Sequence, residues 1–142
     1  MEEKNKAWKT VSSKYLFRRP WLTVRCEDML LPNGNHIPEY YILEYPDWVN
    51  TIAITKEGKF VFVRQYRPGI GRTCYELCAG VCEKEDASPL VSAQRELWEE
   101  TGYGNGNWQE YMVISANPST HTNLTYCFLA TDVDCLLYTS PS

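Results

Sequence analysis

The sequence predicts a mixed α/β domain made of several short strands and one well-defined helix. Runs rich in β-branched and aromatic residues recur along the chain, separated by Gly, Pro and Asn, and this pattern is typical of strands joined by turns. The segment 88–102 instead carries a start signal and a stop signal for a helix. At 142 residues, with 44% hydrophobic and 23% charged residues, the chain is long enough for one domain with a substantial core.

Three strand runs in the first third of the chain predict a small N-terminal β region. They lie at 10–12, 22–26 and 40–44. Asn33-Gly34 separates the second run from the third, and this dipeptide favours a type I′ turn. We therefore expect a hairpin from Asp28 to Tyr41.

The main sheet is predicted to begin at Val49. Further strand runs lie at 51–55, 60–67, 73–78, 111–115 and 125–130. Along 60–67 the side chains alternate between the two faces of the sheet, and large apolar residues occur on both faces. This predicts a sheet that is covered on both faces. Glycine-containing turns are predicted at 56–59 and 104–107.

Signals at both ends bound the predicted helix. Ser88 suits the N-cap, and Pro89 suits the first helical position because its missing N–H would be unpaired there anyway. Gly102 supplies the left-handed stop. Between these residues an apolar stripe recurs at helical spacing. Its members are Leu90, Ala93, Leu97 and Thr101.

Three carboxylates are predicted to share the opposite face of this helix. Glu96, Glu99 and Glu100 stand at positions i, i+3 and i+4, so they are neighbours on the helix surface. Like charges at this spacing destabilise a helix unless something neutralises them. A hard divalent cation would do so; a solvated acidic helix face is the alternative interpretation.

The stretch from Gly80 to Tyr103 resembles the signature of the Nudix hydrolases, G-x5-E-x7-R-E-U-x-E-E-x-G-U, in which U is aliphatic or aromatic. The matching positions are Gly80, Arg95, Glu96, Leu97, Glu99, Glu100, Gly102 and Tyr103. Fourteen residues separate Gly80 from Arg95 where the signature has thirteen, so the family's first Glu falls on Asp86. The inserted residue leaves the role of Asp86 open, but the match as a whole favours the metal site.

Two further features resemble the ADP-ribose pyrophosphatase subfamily. Gln-Tyr-Arg at 65–67, followed by Glu-Leu-Cys-Ala-Gly at 76–80, resembles the run that leads into the signature in those enzymes. Pro118 lies fifteen positions after Tyr103, near the place of a marker proline in that subfamily. The resemblance extends over about residues 50–131.

The resemblance implies a fold and a division of the chain. The implied fold is a Nudix-type α/β/α sandwich with a mixed sheet, preceded by a small N-terminal antiparallel β region. Residues 1–47 would form that N-terminal region, whose strands exchange between the subunits of a dimer in the subfamily, and residues 48–142 would form the Nudix hydrolase domain. A homodimer through the N-terminal strands is therefore an expected assembly.

The implied activity is hydrolysis of the pyrophosphate bond of a nucleoside diphosphate linked to a sugar, first of all ADP-ribose to AMP and ribose 5-phosphate. A GDP-sugar or another nucleotide-sugar is an alternative substrate, and a non-catalytic nucleotide-binding module is an alternative class. Mg²⁺ or Mn²⁺ is the implied cofactor. The implied ligands are Glu96 and Glu100, Glu99 for support or for a second ion, and the backbone carbonyl of Ala79. Arg95 is implied to tie the helix to the preceding loop.

Three residues are candidates for substrate binding. Arg67 would bind substrate phosphate, since a guanidinium matches phosphate oxygens; a surface Arg at a strand end is the alternative. Glu76 would hold substrate or order the loop. Trp48 would stack on a nucleobase, or serve as a core or interface Trp.

The cysteines and histidines have simpler interpretations. Cys74, Cys78 and Cys82 lack the paired-knuckle spacing and the nearby His of a zinc site. We expect reduced, buried thiols, consistent with a reducing compartment. His36 is predicted to be exposed after its hairpin turn, and His121 is a weak site candidate in a polar loop.

The net charge and the hydropathy of the chain argue against nucleic-acid and membrane partners. The net charge of −4 does not suit a general nucleic-acid binder, which needs a basic surface. The polar N-terminus has no apolar signal region, and no run approaches the length of a membrane span. A cytoplasmic protein without nucleic-acid or membrane partners is expected.

The end of the chain departs from the subfamily. Residues 131–134 are predicted to continue the sheet, whereas residues 135–142 do not resemble the corresponding segment of relatives. ADP-ribose pyrophosphatases continue with a loop that carries a catalytic glutamate and then a C-terminal helix. No Asp or Glu occurs after Asp134, so we expect this helix and the general base to be missing. Such a chain would bind Mn²⁺, hydrolyse ADP-ribose poorly and tend to aggregate.

Overall fold

The computed structural model describes residues 6–138. In that range the strands are β1 (Lys9–Arg19), β2 (Leu22–Leu30), β3 (His36–Leu43), β4 (Trp48–Thr55), β5 (Phe60–Arg67), β6 (Arg72–Val81), β7 (Tyr103–Gly104), β8 (Asn107–Ile114) and β9 (Thr125–Cys135). One α-helix, α1 (Pro89–Thr101), comes after β6, and a 3₁₀ turn over Leu136–Tyr138 comes after β9. Two compact units emerge: the residues up to Tyr45 with Asn117–Asn123, and Pro46–Ala116 with the residues from Leu124 onward.

The first unit contains an antiparallel sheet of β1, β2 and β3. All three predicted strands are confirmed, although each is longer than predicted. The hairpin between β2 and β3 is also confirmed, but its predicted type I′ turn is wrong. Gly34 has a positive φ of 88°, whereas Asn33 does not. Pro32 fixes the first central φ near the helical value, which suits a type I turn with Pro second and Gly fourth. Gly34 N accordingly donates to Leu31 O at 2.9 Å.

The second unit contains a mixed sheet in the order β5-β6-β4-β9-β7, with β8 also paired to β9. β4 and β9 run parallel and the other pairs are antiparallel, so the predicted mixed sheet is confirmed. The two positive φ values of a type I′ turn occur in this unit instead. They belong to Asn105 at 57° and Gly106 at 79°, within the turn predicted at 104–107.

Both predicted ends of α1 are confirmed. The Ser88 side chain accepts a hydrogen bond from Val91 N at 3.2 Å. Gly102 has φ 78° and its N–H donates to Trp98 O at 2.8 Å. These are the bonds that satisfy the otherwise unpaired groups at the two helix termini.

The predicted apolar stripe of α1 is partly wrong. Ala93 and Leu97 are fully buried, as expected, but Leu90 is 37% exposed and Ser92 is buried in its place. The reason is a polar contact: the Ser92 hydroxyl donates to Asp86 Oδ2 at 2.6 Å. A buried hydroxyl needs such a partner, so this bond sets which residue enters the interface.

The core of the second unit lies between α1 and one face of the sheet. Its two clusters of buried residues are Ala53, Val61, Cys78, Leu97, Ala130 and Val133, and Val49, Ala93 and Phe128. The predicted cover on both faces of β5 is wrong: Phe60 and Phe62 are 58% and 53% exposed, while Val61 is buried. Among the described residues α1 is the one long helix, and it packs on the Val61 side.

The last described residues bear on two further expectations. Residues 131–134 continue β9 as predicted, and Cys135 ends that strand. Of the divergent stretch 135–142, Leu136–Tyr138 forms the 3₁₀ turn and residues 139–142 lie outside the described part of the chain. No helix within residues 6–138 is long and apolar enough to cross a lipid bilayer.

Candidate active site

A cavity of about 360 Å³ lies where β5 and β6 meet the carboxylate face of α1. Its lining residues are Trp48, Gln65, Arg67, Ala79, Gly80, Val81, Glu96 and Glu100. Five of the predicted site residues are therefore brought together, on four different elements. The other three, Glu76, Arg95 and Glu99, do not line the cavity.

Glu96 approaches the backbone of β6 at Gly80. A side-chain carbon placed on Gly80 would lie 2.6 Å from Glu96 Cγ and closer still to the carboxyl group, so only glycine leaves room for Glu96 in this position. Burial raises the pKa of Glu96, and the charges of Glu100 and Glu99 raise it further, while the hydrogen bond from Arg95 lowers it. A carboxylate in such surroundings is stabilised by an added positive charge.

Glu100 is held by two neutral donors from the sheet. Cys78 Sγ lies 3.3 Å from Oε1 and Gln65 Nε2 lies 3.3 Å from Oε2. Burial is the main reason that the pKa of the Cys78 thiol lies far above its usual range, and Glu100 raises it further. The thiol is therefore a protonated donor at neutral pH.

Arg95 connects the helix to the loop before it. Its Nη2 donates to Val81 O at 3.1 Å and to Asp86 Oδ2 at 2.9 Å. Its Nη1 donates to Glu96 Oε1 at 3.1 Å and to Glu99 Oε2 at 3.3 Å. Arg95 thus does not line the cavity itself but contacts Glu96, which does, in keeping with the tie that the resemblance implies.

Asp86, whose role the insertion leaves open, lies at the centre of this loop. It accepts hydrogen bonds from Arg95, from the Ser92 hydroxyl and from the backbone N–H of Glu83 at 3.0 Å. These three donors, with Arg95 first, hold the pKa of Asp86 well below its usual range. The structure thus gives Asp86 a contact with the signature arginine in spite of the extra residue.

We expect Asp86→Asn to lower the Tm by several degrees, because it removes the charge that Arg95 faces. Since the folded pKa of Asp86 is depressed, its contribution is present above the unfolded value and is lost as the pH falls through the folded one. The Tm difference between wild type and variant should therefore be full at pH 7 and shrink toward strongly acidic pH. Calorimetric scans across pH test this, with Asp132→Asn, an exposed acid on β9, as the control. If Asp86→Asn and wild type have the same Tm at pH 7, Asp86 does not stabilise the fold through Arg95.

Arg67 and Glu76, both predicted to bind substrate, contact each other. Arg67 Nε lies 2.8 Å from Glu76 Oε2, and Nη2 lies 2.6 Å from Oε1. This paired contact fixes the plane of the guanidinium. It uses Nε and Nη2, so Nη1 remains directed elsewhere. Glu76 is therefore placed to orient Arg67, while its direct contact with substrate stays a prediction.

The donor set suits a hard cation. Two carboxylates, Glu96 and Glu100, line the cavity together with Ala79, whose backbone carbonyl is a further predicted oxygen ligand, whereas Glu99 does not line it. Within residues 6–138 no three His, Cys, Asp or Glu side chains are grouped closely enough to hold a metal by themselves. Mg²⁺ does not require such a cage, because it keeps several waters and binds through one or two carboxylates and substrate phosphate. The residues present fit Mg²⁺ or Mn²⁺ better than zinc.

Trp48 and the two histidines complete the set of candidate residues. Trp48 lines the cavity and is 41% exposed, which leaves both of its predicted roles open. His36 is exposed, as predicted, with its ring 3.0 Å from Asp28. His121 stacks on the Tyr45 ring with the centroids 5.0 Å apart. All six cysteines have free thiols in the structure, but the predicted burial is wrong for Cys74 and Cys82, which are partly exposed, and right for Cys78.

The chain matches two protein families. Residues 45–136 match the NUDIX domain, and residues 8–43 match the nucleoside diphosphate sugar hydrolase N-terminal domain. The chain belongs to the NUDIX domain family. The predicted membership of the Nudix hydrolases, and with it the enzyme class, is confirmed.

Individual curated relatives resemble most of this chain. The chain is 33% identical over 128 residues to the ADP-ribose pyrophosphatase of Bacillus subtilis (strain 168), covering 90% of this chain and 68% of the relative. It is 33% identical over 122 residues to the methanol dehydrogenase activator of Bacillus methanolicus, covering 86% of this chain and 65% of the relative. The chain thus spans about two thirds of the length of these curated relatives.

A solved structure shows the same fold. The crystal structure of an ADP compounds hydrolase superposes with a TM-score of 0.82 at 20% identity, covering 94% of this chain and 71% of that one. The predicted Nudix-type fold, with a mixed sheet and a small N-terminal antiparallel region, is confirmed. Of the three layers in the predicted sandwich, the described residues supply the sheet and one helical layer.

Sequence reasoning missed Gln65 and Cys78 as site residues of this Nudix domain. The sequence placed them in a subfamily marker and among the buried thiols, without a role at the carboxylates. Strand periodicity carried the missing signal: Gln65 is two residues before Arg67, and Cys78 is two residues after Glu76. Residues two apart on a strand share a face, so the four side chains point to the same side.

Proposed function

We propose that the chain hydrolyses the pyrophosphate bond of a nucleoside diphosphate linked to a sugar, with ADP-ribose as the first substrate and AMP and ribose 5-phosphate as products. The observation that carries the proposal is the single cavity that joins Glu96 and Glu100 to Arg67 and Trp48. It combines carboxylates for a cation, a guanidinium for phosphate and an aromatic surface for a base. The N-terminal family match and the Bacillus subtilis relative support this substrate class.

Each residue has a distinct task in this proposal. Glu96 and Glu100, with the Ala79 carbonyl, hold Mg²⁺ or Mn²⁺, and Glu99 supports them or serves a second ion. When bound there, a divalent cation would neutralise phosphoryl oxygens and would lower the pKa of a water that it holds. Arg67 binds a substrate phosphate through Nη1 while Glu76 keeps its guanidinium in plane. Trp48 stacks on the base.

A panel of nucleotide-sugars with product chromatography tests the substrate class. ADP-ribose, a GDP-sugar and a UDP-sugar are incubated with Mg²⁺ and the products are separated. We expect ADP-ribose to be cleaved to AMP and ribose 5-phosphate with the highest kcat/KM. A preference for the GDP-sugar would keep the chemistry and change the substrate. Binding of ADP-ribose without cleavage of any member of the panel would contradict the enzymatic proposal and favour a non-catalytic nucleotide-binding module.

We expect Arg67→Ala to raise KM for ADP-ribose by about 10- to 100-fold, because hydrogen bonds to charged groups contribute about 1.5–3 kcal/mol. The change in kcat should be small if the contact is equal in ground and transition states. Arg64→Ala is the matched control, since Arg64 is an exposed residue of the same strand that lies over the Tyr75 ring. An unchanged KM in Arg67→Ala would return this residue to the role of a surface Arg.

Glu76→Gln distinguishes between two roles of Glu76, orienting Arg67 and contacting the substrate directly. It keeps the shape of the side chain and removes its charge, so the guanidinium is held less firmly. A smaller rise in KM than in Arg67→Ala is expected if Glu76 orients Arg67. A larger rise would mean that Glu76 itself contacts the substrate.

The proposal has three further parts. The chain divides into an N-terminal region, residues 1–47, and a Nudix domain, residues 48–142. It forms a homodimer through the N-terminal strands and is located in the cytoplasm. Every residue of β1 is exposed, including Val11 and Phe17 at 55% and 54%. β1 is also the edge of its sheet, and an apolar edge strand readily pairs with another chain. Light scattering of the wild type and of Phe17→Lys tests the dimer, and cell fractionation tests the location.

A further inference from the structure

We propose that Gln65 and Cys78 are positioning residues that hold the Glu100 carboxylate in the orientation in which it binds the cation. Gln65 belongs to β5 and Cys78 to β6, and these strands pair in the sheet. Gln65 Nε2 donates to Oε2 of Glu100 and Cys78 Sγ donates to Oε1, each at 3.3 Å. The inference rests on the proposed function, because it assumes that Glu100 is a metal ligand.

The two donors leave Glu100 able to bind a cation. An ionised carboxylate offers about four lone-pair sites, and these two bonds use one on each oxygen. Because an amide and a thiol are neutral, they do not offset the charge of Glu100. Glu96 and Glu99, in contrast, both accept from the positive Nη1 of Arg95 at 3.1 and 3.3 Å. Among the three glutamates, Glu100 is thus the one whose described side-chain hydrogen bonds come from neutral donors rather than from Arg95.

Glu100 needs such support because it is itself an exposed residue at the end of α1. An unrestrained Glu side chain samples several rotamers, and affinity falls in proportion to the time that its carboxylate spends elsewhere. Cys78 is 1% exposed within the core cluster that contains Leu97. Gln65 is partly buried and lines the cavity. Their positions are set by packing and strand pairing, so their hydrogen bonds restrict the conformations of the Glu100 side chain.

A purely structural role predicts different behaviour at the same positions. A buried thiol also packs as a small apolar group, and Val would then replace Cys78 without loss at the metal site. If the thiol acts as a donor, Ser should preserve metal binding because its hydroxyl donates in place of the thiol, whereas Val should not. For Gln65 the corresponding change is Met, which has a similar length and no N–H.

Mn²⁺ titrations followed by electron paramagnetic resonance test the proposal on the intact chain. The variants are Gln65→Met, Cys78→Val, Cys78→Ser and Glu100→Gln. Loss of a residue that orients a metal ligand typically weakens binding about 10- to 100-fold. We expect Gln65→Met and Cys78→Val each to raise the Mn²⁺ Kd by at least about 10-fold, and Cys78→Ser to stay within a few-fold of wild type.

Matched controls repeat the same replacements away from Glu100. Gln94→Met changes an exposed Gln of α1, and Cys127→Val changes a buried Cys of β9 that is 2% exposed. Neither should change the Mn²⁺ Kd. Thermal unfolding without metal accompanies each titration, and an orienting role predicts a change in Kd that does not track the change in Tm.

Failure of this inference is distinguishable from failure of the metal site itself. If Glu100→Gln weakens Mn²⁺ binding while Gln65→Met and Cys78→Val bind like wild type, the positioning roles are overturned and the metal site stands. If Glu100→Gln binds Mn²⁺ like wild type, Glu100 is not a ligand and both ideas fall. If Cys78→Val does not fold, Gln65→Met against Gln94→Met decides the question.

Discussion

Glu96→Gln should lower kcat by at least about 100-fold and weaken Mn²⁺ binding without unfolding the protein. Residues that only orient a metal ligand already account for about 10- to 100-fold, so loss of a ligand should exceed that range. The replacement keeps the size of the side chain beside Gly80, so the packing there is preserved. Steady-state kinetics at saturating Mg²⁺ and ADP-ribose, with Mn²⁺ titration on the same preparation, measure both effects. Glu100→Gln should behave in the same way.

Stability separates a lost ligand from a damaged fold. Because burial raises the folded pKa of Glu96, the ionised form is disfavoured on folding, and the metal-free protein loses stability as the pH rises through the unfolded and folded values. A neutral Gln removes that cost, so the Tm of the metal-free variant at pH 7 should equal or exceed that of wild type. Glu85→Gln, an exposed acid in the preceding loop, is the control. Wild-type turnover in Glu96→Gln would remove this residue from the site.

Gly80→Ala should abolish most of the activity while leaving the fold intact. The new methyl group would lie 2.6 Å from Glu96 Cγ, and the carboxyl group would have to move. The atoms that it meets belong to the end of a flexible side chain, so the stability cost is small. Gly80 has no positive φ, and Ala in a compatible conformation typically stabilises by about 0.4–1 kcal/mol through the unfolded state. We therefore expect a fall in kcat of at least about 10-fold with a nearly unchanged Tm.

The matched control for this change is Gly69→Ala. Gly69 also lacks a positive φ, and an added side-chain carbon there would meet nothing within 4 Å. Its kinetics should resemble those of wild type. Equal activity in Gly80→Ala and Gly69→Ala would mean that the position of the Glu96 carboxylate does not matter to the reaction.

Features encoded by local sequence were the ones that could be predicted from it. The ends of α1 follow from Ser88, Pro89 and Gly102 because capping involves residues within one turn of each other. The spacing of Glu96, Glu99 and Glu100 places them on one side of that helix for the same reason. Membership of the Nudix hydrolases could be predicted because the signature spans this local unit.

The errors arose where a residue outside the pattern used for the prediction decides the outcome. Ser92 replaces Leu90 in the helix interface because Asp86 lies against it, and the helical spacing of apolar residues does not include that loop. The turn after β2 is set by Pro32 rather than by Asn33-Gly34 alone, a competition between two turn signals in neighbouring positions. The contacts of Gln65 and Cys78 with Glu100 required the pairing of β5 and β6 and the packing of α1 on them.

The proposed chemistry depends above all on Glu96 and Glu100 holding a divalent cation in the cavity lined by Arg67. Crystals soaked with Mn²⁺, measured for anomalous scattering at the manganese edge, locate that cation. We predict an anomalous peak in the cavity, with carboxylate oxygens of both glutamates within roughly 2.0–2.6 Å of it. A peak bound by other residues, or none in the cavity at saturating Mn²⁺ with both carboxylates unmoved, would contradict the proposed metal site.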